Sequence, residues 1–464
     1  MAFPEAFCRR MEDLLGGEYP AFIDALGAPE SVHALRANPA KLTATELSAL
    51  APSLRRIPYT ADGFFCTGDG WGAHALHRAG GFYLQDPAAM APVAAAPIRK
   101  GDRVLDLCAS PGGKTAQLAA AVGDGGLVVS NEMNPSRART LGGNVERLGL
   151  RNVVVMNADG AYTAGLFPAF FDLVVCDAPC SGEGMFRKNP EAAAVWNEGA
   201  VANCAATQKM LLDAAAAAVR PGGHLLYSTC TFSLEEDERQ VAQFLASHPA
   251  FTLCDVPEAI RDASRPGCRL PDHPDLPLEK TRRFYPHVSP GEGQFLALMQ
   301  NTADGCAEAP AFRDASLPLS KDEAATVSAF LKDTLDSMPS AVPRRLGERI
   351  VLLPKGAVLP PHCVLSAGVT LGEVQKGRLV PHHQFCSAFG SDFRRRIDLP
   401  GGPLPRVGSD TDDRRLTAYL HGETLDVPDT PDGWAVVTVA GAALGGGKVT
   451  GGTLKNHYPK GLRI

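Results

Sequence analysis

The sequence predicts an α/β core built on a doubly wound, mostly parallel sheet, preceded by one small module and followed by two. Two observations carry this reading. From Gly81 short apolar runs rich in β-branched residues alternate with helical segments, and after Phe295–Leu298 the alternation stops. The 464 residues, at about 150 per domain, leave room for more than that core.

Residues 1–80 read as a small α-rich or α+β module. Phe7, Met11, Leu14 and Leu15 recur at helical spacing, and a second short helix, Pro20–Leu26, stops at Gly27. From Ser31 to Tyr59 the module carries Arg36, Lys41, Arg55 and Arg56 against Glu46, a modest local basic excess for an RNA-binding segment. Residues 81–300 form the core. Arg103–Cys108, Leu127–Glu132, Asn152–Asn157, Phe171–Asp177 and His224–Cys230 read as buried strands, and Lys114–Val122, Pro135–Leu148, Glu191–Val219 and Leu234–Ser247 as helices. Such alternation gives a parallel sheet whose ligands bind outside the carboxyl ends of the strands. Asn301–Pro310 reads as a polar linker, and residues 311–390 and 391–464 as two small α+β or β domains. The last has strands such as Ala435–Val439 and Gly-rich turns, the pattern of a small β-barrel.

Composition removes several classes. With 45% apolar residues, 47 Gly and 37 Pro the chain is too apolar, and too poor in breakers, for intrinsic disorder. Its longest uncharged stretch, Gly356–Gly372, is interrupted by Pro360, Pro361 and His362, so no run reads as a membrane span. The first residues lack an apolar signal core, so a soluble cytoplasmic protein is expected. The twelve cysteines contain no C-x-x-C pair and no Cys/His doublet of structural-zinc form, which predicts free thiols and no metal site.

The strand Val104–Leu107 runs into Cys108, Ala109, Ser110, Pro111, Gly112, Gly113 and Lys114 before a helix. A Gly-rich turn there exposes backbone N–H groups at a helix N-terminus, yet it matches neither the dinucleotide nor the triphosphate cradle. Glu132, Asp159 and Asp177 close the next three strands. Any one of them alone could be a helix N-cap. Together, Glu132 is placed for ribose hydroxyls and Asp159 for an adenine edge, which describes a nucleoside cofactor without polyphosphate; S-adenosylmethionine fits.

Cys180, in Asp177-Ala178-Pro179-Cys180, and Cys230, in Ser228-Thr229-Cys230-Thr231, lie at strand ends on the same rim. Carbon 5 of a pyrimidine becomes nucleophilic once a thiolate adds at carbon 6, and a thiolate can leave again. An acid such as Asp177 at N3 would assist that addition. Chemistry alone does not say which cysteine attacks.

These motifs resemble the RNA (cytosine-5)-methyltransferases of the Sun/Nop2 family. The resemblance rests on Val104–Thr115, Asp177–Gly184 and Ser228–Thr231, with Phe82–Pro87 upstream and Arg283–His287 and Gly291–Phe295 downstream, over about residues 81–300. It implies a class I Rossmann-like methyltransferase core using S-adenosylmethionine. It further implies attack by Cys230 and product release by Cys180, with Asp177 facing both cofactor and cytosine and Lys114 near the chemistry. Cys108 to Lys114, Glu132, Asp159 and Asp177 would contact the cofactor, with Arg137 helping to hold the methyl donor.

Local charge revises the net −6. Gly441–Ile464 holds Lys448, Lys455, Lys460 and Arg463 and no acid, and Lys376–Arg396 has five bases against Asp392, while Asp304–Asp336 has seven acids and three bases. The ending Leu454–Arg463 interleaves basic and aromatic residues as RNA contacts do. It resembles the tail of bacterial F-type small-subunit rRNA methyltransferases, which is PUA-like. By that resemblance the partner is RNA, a cytosine in the decoding region of 16S rRNA or the small ribosomal subunit, and the enzyme a monomer. A tRNA cytosine and a ribosome-assembly role are the alternatives.

Overall fold

Successive side chains of a strand face opposite ways, and the core strands are apolar in both directions. Leu105, Val129, Val154, Met156, Val174 and Leu225 enter one buried cluster, whereas Val104, Val128, Val153, Val155, Val175 and Leu226 enter another on the opposite face. Such a sheet needs a layer on each side, and the computed structural model, which describes residues 3–29, 32–399 and 414–464, shows both.

The core runs β1 (Arg103–Asp106), α1 (Gly113–Val122), β2 (Leu127–Asn131), α2 (Pro135–Leu148), β3 (Val153–Met156), α3 (Gly160–Gly165), β4 (Phe171–Asp177), α4 (Glu198–Ala218), β5 (Val219–Thr229), α5 (Glu238–Ser247) and β6 (Gln294–Asn301). Strands lie in the order β6-β5-β4-β1-β2-β3 within a ten-stranded sheet. β5, β4, β1, β2 and β3 are parallel, and β6 returns antiparallel to β5 with Phe295 opposite Thr229. The winding direction changes between β1 and β4, so the crevice for a ligand opens at their carboxyl ends.

Four details differ from the sequence expectation, each for a local reason. The helix expected over Glu191–Val219 breaks at Trp196 into Pro190–Val195 and α4, because Asn197 leaves the helix to cap α4 by accepting from the Ala200 N–H. Phe82–Leu84, read with the core, completes the N-terminal sheet, with Leu35 opposite Leu84. The helix Pro87–Ala95 was not anticipated; Asp86 caps it and Pro87 starts it. Part of the linker is pinned: Thr302, Glu308 and Ala311 donate backbone hydrogen bonds to Ala250, Ala169 and Leu166.

The flanking modules share cores with their neighbours. The N-terminal helices Glu5–Leu15 and Tyr19–Gly27 pack Phe7 and Phe22 against Phe186, Trp196 and Phe232 of the core. Residues 311–390 lend the strand Val364–Ala367 to the core sheet edge, antiparallel to β3. Among the described residues the last strands form an open five-stranded row rather than a closed barrel. Its apolar face shares one core with the N-terminal sheet. No helix of the described residues is long and apolar enough to cross a membrane.

Lys41 joins all four parts. Its Nζ donates to Ala79 O (2.6 Å), Arg147 O (2.9 Å), Ser387 Oγ (2.8 Å) and Ala443 O (3.2 Å). Burial, with Arg147 nearby, holds its amine well below the usual lysine range. Lys41→Met leaves those oxygens without their donor and is expected to destabilise the fold by about 2 kcal/mol. The urea unfolding midpoint checks this.

Candidate active site

The turn after β1 is shaped by its glycines. Gly112 caps α1 at φ 110°, a left-handed conformation that a side chain would strain, and a Cβ there would stand 3.0 Å from Leu141. A Cβ on Gly113 would press on Tyr83 and Gln85 at 3.1 and 3.2 Å. The turn's other contacts hold it open toward the rim: Ala109 N–H donates to Asn131 O, Asn144 to Pro111 O, and Ser110 Oγ to Arg137 O.

The three strand-end acids come to this rim in different states. Glu132 is 6% exposed; one oxygen accepts from the Asn134 N–H and the other lies 3.3 Å from the Arg137 guanidinium. Arg137 also donates to Ser110 O, so it ties the turn to Glu132. Asp159 is an N-cap after all, with Oδ1 accepting from the Ala161 and Tyr162 N–H groups, while among the described residues Oδ2 has no partner. Asp177 accepts from Lys114 Nζ at 2.7 Å, Ser228 Oγ at 2.6 Å and Gln294 Nε2 at 3.4 Å. Burial works against the Lys114 charge, but Asp177, with which it pairs, and Asp106 outweigh it and raise the ammonium above its ordinary value.

Cys180 Sγ and Cys230 Sγ are 3.3 Å apart, and the Cys230 N–H donates to Cys180 Sγ. The hydrogen bond to Cys230, and then burial, push the Cys180 thiol well above its usual range. Cys180 therefore keeps its proton at neutral pH. Lys114 is an electrostatic neighbour of Cys230, which is one of the groups that favour its charge, and Cys180 is that sulfur's partner at 3.3 Å. The thiol of Cys108, in the turn, is also raised by burial and is suited to packing rather than attack.

Several buried polar groups around this rim were not singled out from sequence. Asp106 is fully buried and pushed up to about 7 by desolvation; its Oδ2 accepts from Thr115, and Oδ1 is buried with no partner among the described residues. Glu183 accepts from the Phe232 N–H, Ser233 Oγ and Trp196 Nε1. Glu236 accepts from Ser181 and Gln208, and Asp237 from Thr229. Arg283 pairs with Glu238 and Asp237 and donates to Phe232 O. In sequence the acids Glu236 to Glu238 look like a solvated run; in the fold they have no solvent exposure, so each must be held by donors.

The residues fit S-adenosylmethionine without polyphosphate donors. An uncluttered turn at a helix N-terminus, the buried Glu132 carboxylate, the unused Asp159 Oδ2 and the orphaned Asp106 oxygen form one polar cradle beside the thiols. No group of metal-ligating side chains occurs among the described residues.

The basic segments are partly spent internally. Arg394 donates to Leu335 O, and Arg395 and Arg396 pair with Asp333 and Asp336, so this basic run meets the acidic segment while Arg394 and Arg396 stay exposed. Tyr458, read as an RNA-facing aromatic, is 4% exposed and packs on Tyr419 and His383. Lys448 and Lys455 of the same tail stay exposed.

A doubly wound sheet with these two loops apposed at the carboxyl ends of β4 and β5 defines a Rossmann-like methyltransferase. Comparison with known proteins narrows that class. The family described as 16S rRNA methyltransferase RsmB/F matches residues 93–300, the N-terminal domain of 16S rRNA methyltransferase RsmF residues 3–87, and the methyltransferase RsmF PUA domain residues 409–464. Ribosomal RNA small subunit methyltransferase F of Klebsiella pneumoniae is 31% identical over 99% of this chain and 96% of its own, and that of Vibrio vulnificus 32% over 92% and 90%. The chain belongs to this family of RNA methyltransferases. Two solved Pyrococcus horikoshii proteins share the fold: a methyltransferase homolog (TM-score 0.57, 24% identity, 65% of this chain and 96% of that one) and NSun6 with SFG (0.56, 20%, 65% and 99%).

Proposed function

We propose that this protein methylates carbon 5 of a cytosine in the decoding region of 16S rRNA, with S-adenosylmethionine as methyl donor, through a covalent bond between Cys230 and carbon 6. The carrying observation is the pair of thiols 3.3 Å apart beside the Lys114–Asp177 pair. The names of the relatives support rRNA as substrate, and the neighbour with SFG, an S-adenosylmethionine analogue, supports the donor.

Cys108 to Lys114, Glu132, Asp159 and Asp177 would hold the donor, which when bound supplies an electrophilic methyl group. The protein does the rest. The Cys230 thiolate adds to carbon 6 as Lys114, oriented by Asp177, stabilises the negative charge that develops on the ring, leaving carbon 5 nucleophilic. After methylation the carbon 6–sulfur bond breaks as the Cys180 thiol gives its proton to the departing Cys230 sulfur, and the Cys180 thiolate so formed takes the carbon 5 proton as the ring double bond re-forms. A cytosine reaches this rim only when unstacked.

Bisulfite sequencing of total RNA from cells with and without the protein tests the substrate. The expected result is loss of one or more 5-methylcytosine signals from 16S rRNA on deletion. Loss from tRNA alone would transfer the same chemistry to tRNA and defeat the rRNA reading.

A further inference from the structure

Glu236 is fully buried, six residues past Cys230, and its two oxygens collect donors from both cysteine loops. Oε2 accepts from the Ser181 N–H (2.9 Å) and Gln208 Nε2 (2.9 Å), and Oε1 from Ser181 Oγ (2.5 Å) and Thr231 Oγ1 (3.5 Å). Ser181 and Thr231 directly follow Cys180 and Cys230, and their hydroxyls bond each other at 2.8 Å. Gln208 also donates to Pro179 O, so the residues on both sides of Cys180 are tied to one carboxylate and its partner.

The two loops do not depend on it equally. The Cys230 loop has holds outside the Cys180 loop, since Asp237 takes Thr229 and Arg283 takes Phe232 O, while Gly184 N–H to Cys230 O and Glu183 to Phe232 and Ser233 join it to the far end of the Cys180 loop. For the Cys180 loop, Glu236 is the acceptor of both the Ser181 N–H and the Ser181 hydroxyl.

We propose that Glu236 is a positioning residue that sets the distance between the two thiols by anchoring the Cys180 loop against the Cys230 loop. The proposal rests on the reading of Cys230 as attacker and Cys180 as releasing group. Carbons 5 and 6 of cytosine are bonded neighbours, so two sulfurs that serve them in turn must converge on adjacent atoms. A displacement of about 1 Å in such an arrangement costs about 10²-fold in rate. Because the Cys230 loop stays anchored without Glu236, the step that suffers is release.

The test compares Glu236→Ala with Glu236→Gln, which keeps an acceptor for the Ser181 N–H and Gln208, and with Ser181→Ala, which removes the hydroxyl's bonds to Glu236 and Thr231 and keeps the N–H bond. In Glu236→Ala, kcat is expected to fall about 10²-fold with KM for RNA and donor little changed, and a covalent RNA–protein complex to accumulate on a denaturing gel. Glu236→Gln should restore most turnover, and Ser181→Ala should fall between, which keeps the test decisive if the alanine variant folds poorly. A second readout does not depend on the catalytic reading: closure of the Cys180–Cys230 disulfide by diamide, followed by thiol counting, should slow about tenfold in Glu236→Ala. If Cys180→Ala itself traps no complex, the assignment of roles fails, and the closure rate still reports on Glu236. Unchanged closure and unchanged turnover in a Glu236→Ala protein with wild-type thermal unfolding would overturn the proposal.

Discussion

Replacing Cys230 with alanine is expected to abolish methyl transfer and every trace of covalent RNA–protein complex, whereas Cys180→Ala should leave RNA attached to the protein on a denaturing gel. The asymmetry follows from what faces each sulfur. Cys230 has the Lys114 ammonium as an electrostatic neighbour and Cys180 Sγ at 3.3 Å, so a cation and a second thiol stand beside the attacking sulfur. Cys180 is the thiol that keeps its proton, raised by its bond to Cys230 and by burial, which suits a group that protonates the departing Cys230 sulfur and, as the thiolate so formed, takes the carbon 5 proton. Loss of a nucleophile that forms the only covalent link should cost at least about 10⁴ in kcat. Loss of an acid–base partner should cost about 10²–10⁴, with the adduct as the species that builds up. A complex trapped by the Cys230 variant instead would exchange the two roles.

Periodicity made the core legible. Runs such as Val153–Met156 and Leu173–Cys176 are apolar on every residue, which a sheet covered on both faces requires, and α2 occupies the span its caps predict, from Pro135 after Asn134 to Leu148 before Gly149. The strand-end positions of Glu132, Asp159, Asp177, Cys180 and Cys230 were legible for the same reason: once strands are placed, their tails share one rim. What stayed hidden was long-range. Leu35 opposite Leu84, and Val364–Ala367 on the edge of β3, are pairings between segments far apart in sequence, and no local pattern encodes them. The buried acids Glu183, Glu236 and Asp237 were hidden because an acid run looks solvated until its donors are known. Charge counting misled in the same way, since Arg395 and Arg396 find Asp333 and Asp336 in the fold.

Removing either member of the Lys114–Asp177 pair should also collapse turnover, and the manner of the collapse separates their duties. Asp177 takes hydrogen bonds from Lys114, Ser228 and Gln294, so its carboxylate is already held by three donors and does not need to move to meet a base. The donor of a proton or hydrogen bond to the ring is then the ammonium, with Asp177 orienting it. Lys114→Met is expected to lower kcat by about 10³ while leaving Asp177 unpaired on the rim. Asp177→Asn keeps the shape but loses the charge that raises Lys114, and should cost about as much while also weakening donor binding. The pH dependence gives the sign. A lysine raised above its ordinary 10.5 stays charged through the whole working range, so a Lys114-dependent activity has no alkaline limb below about pH 10. An alkaline loss of kcat centred between pH 7 and 9 in the wild-type enzyme, absent from Lys114→Arg, would show that Lys114 titrates there and would defeat its assignment as a standing cation. Isothermal titration with S-adenosylmethionine separates the remaining cases: Lys114→Met should bind the donor within a few fold of wild type, and Asp177→Asn more weakly than either.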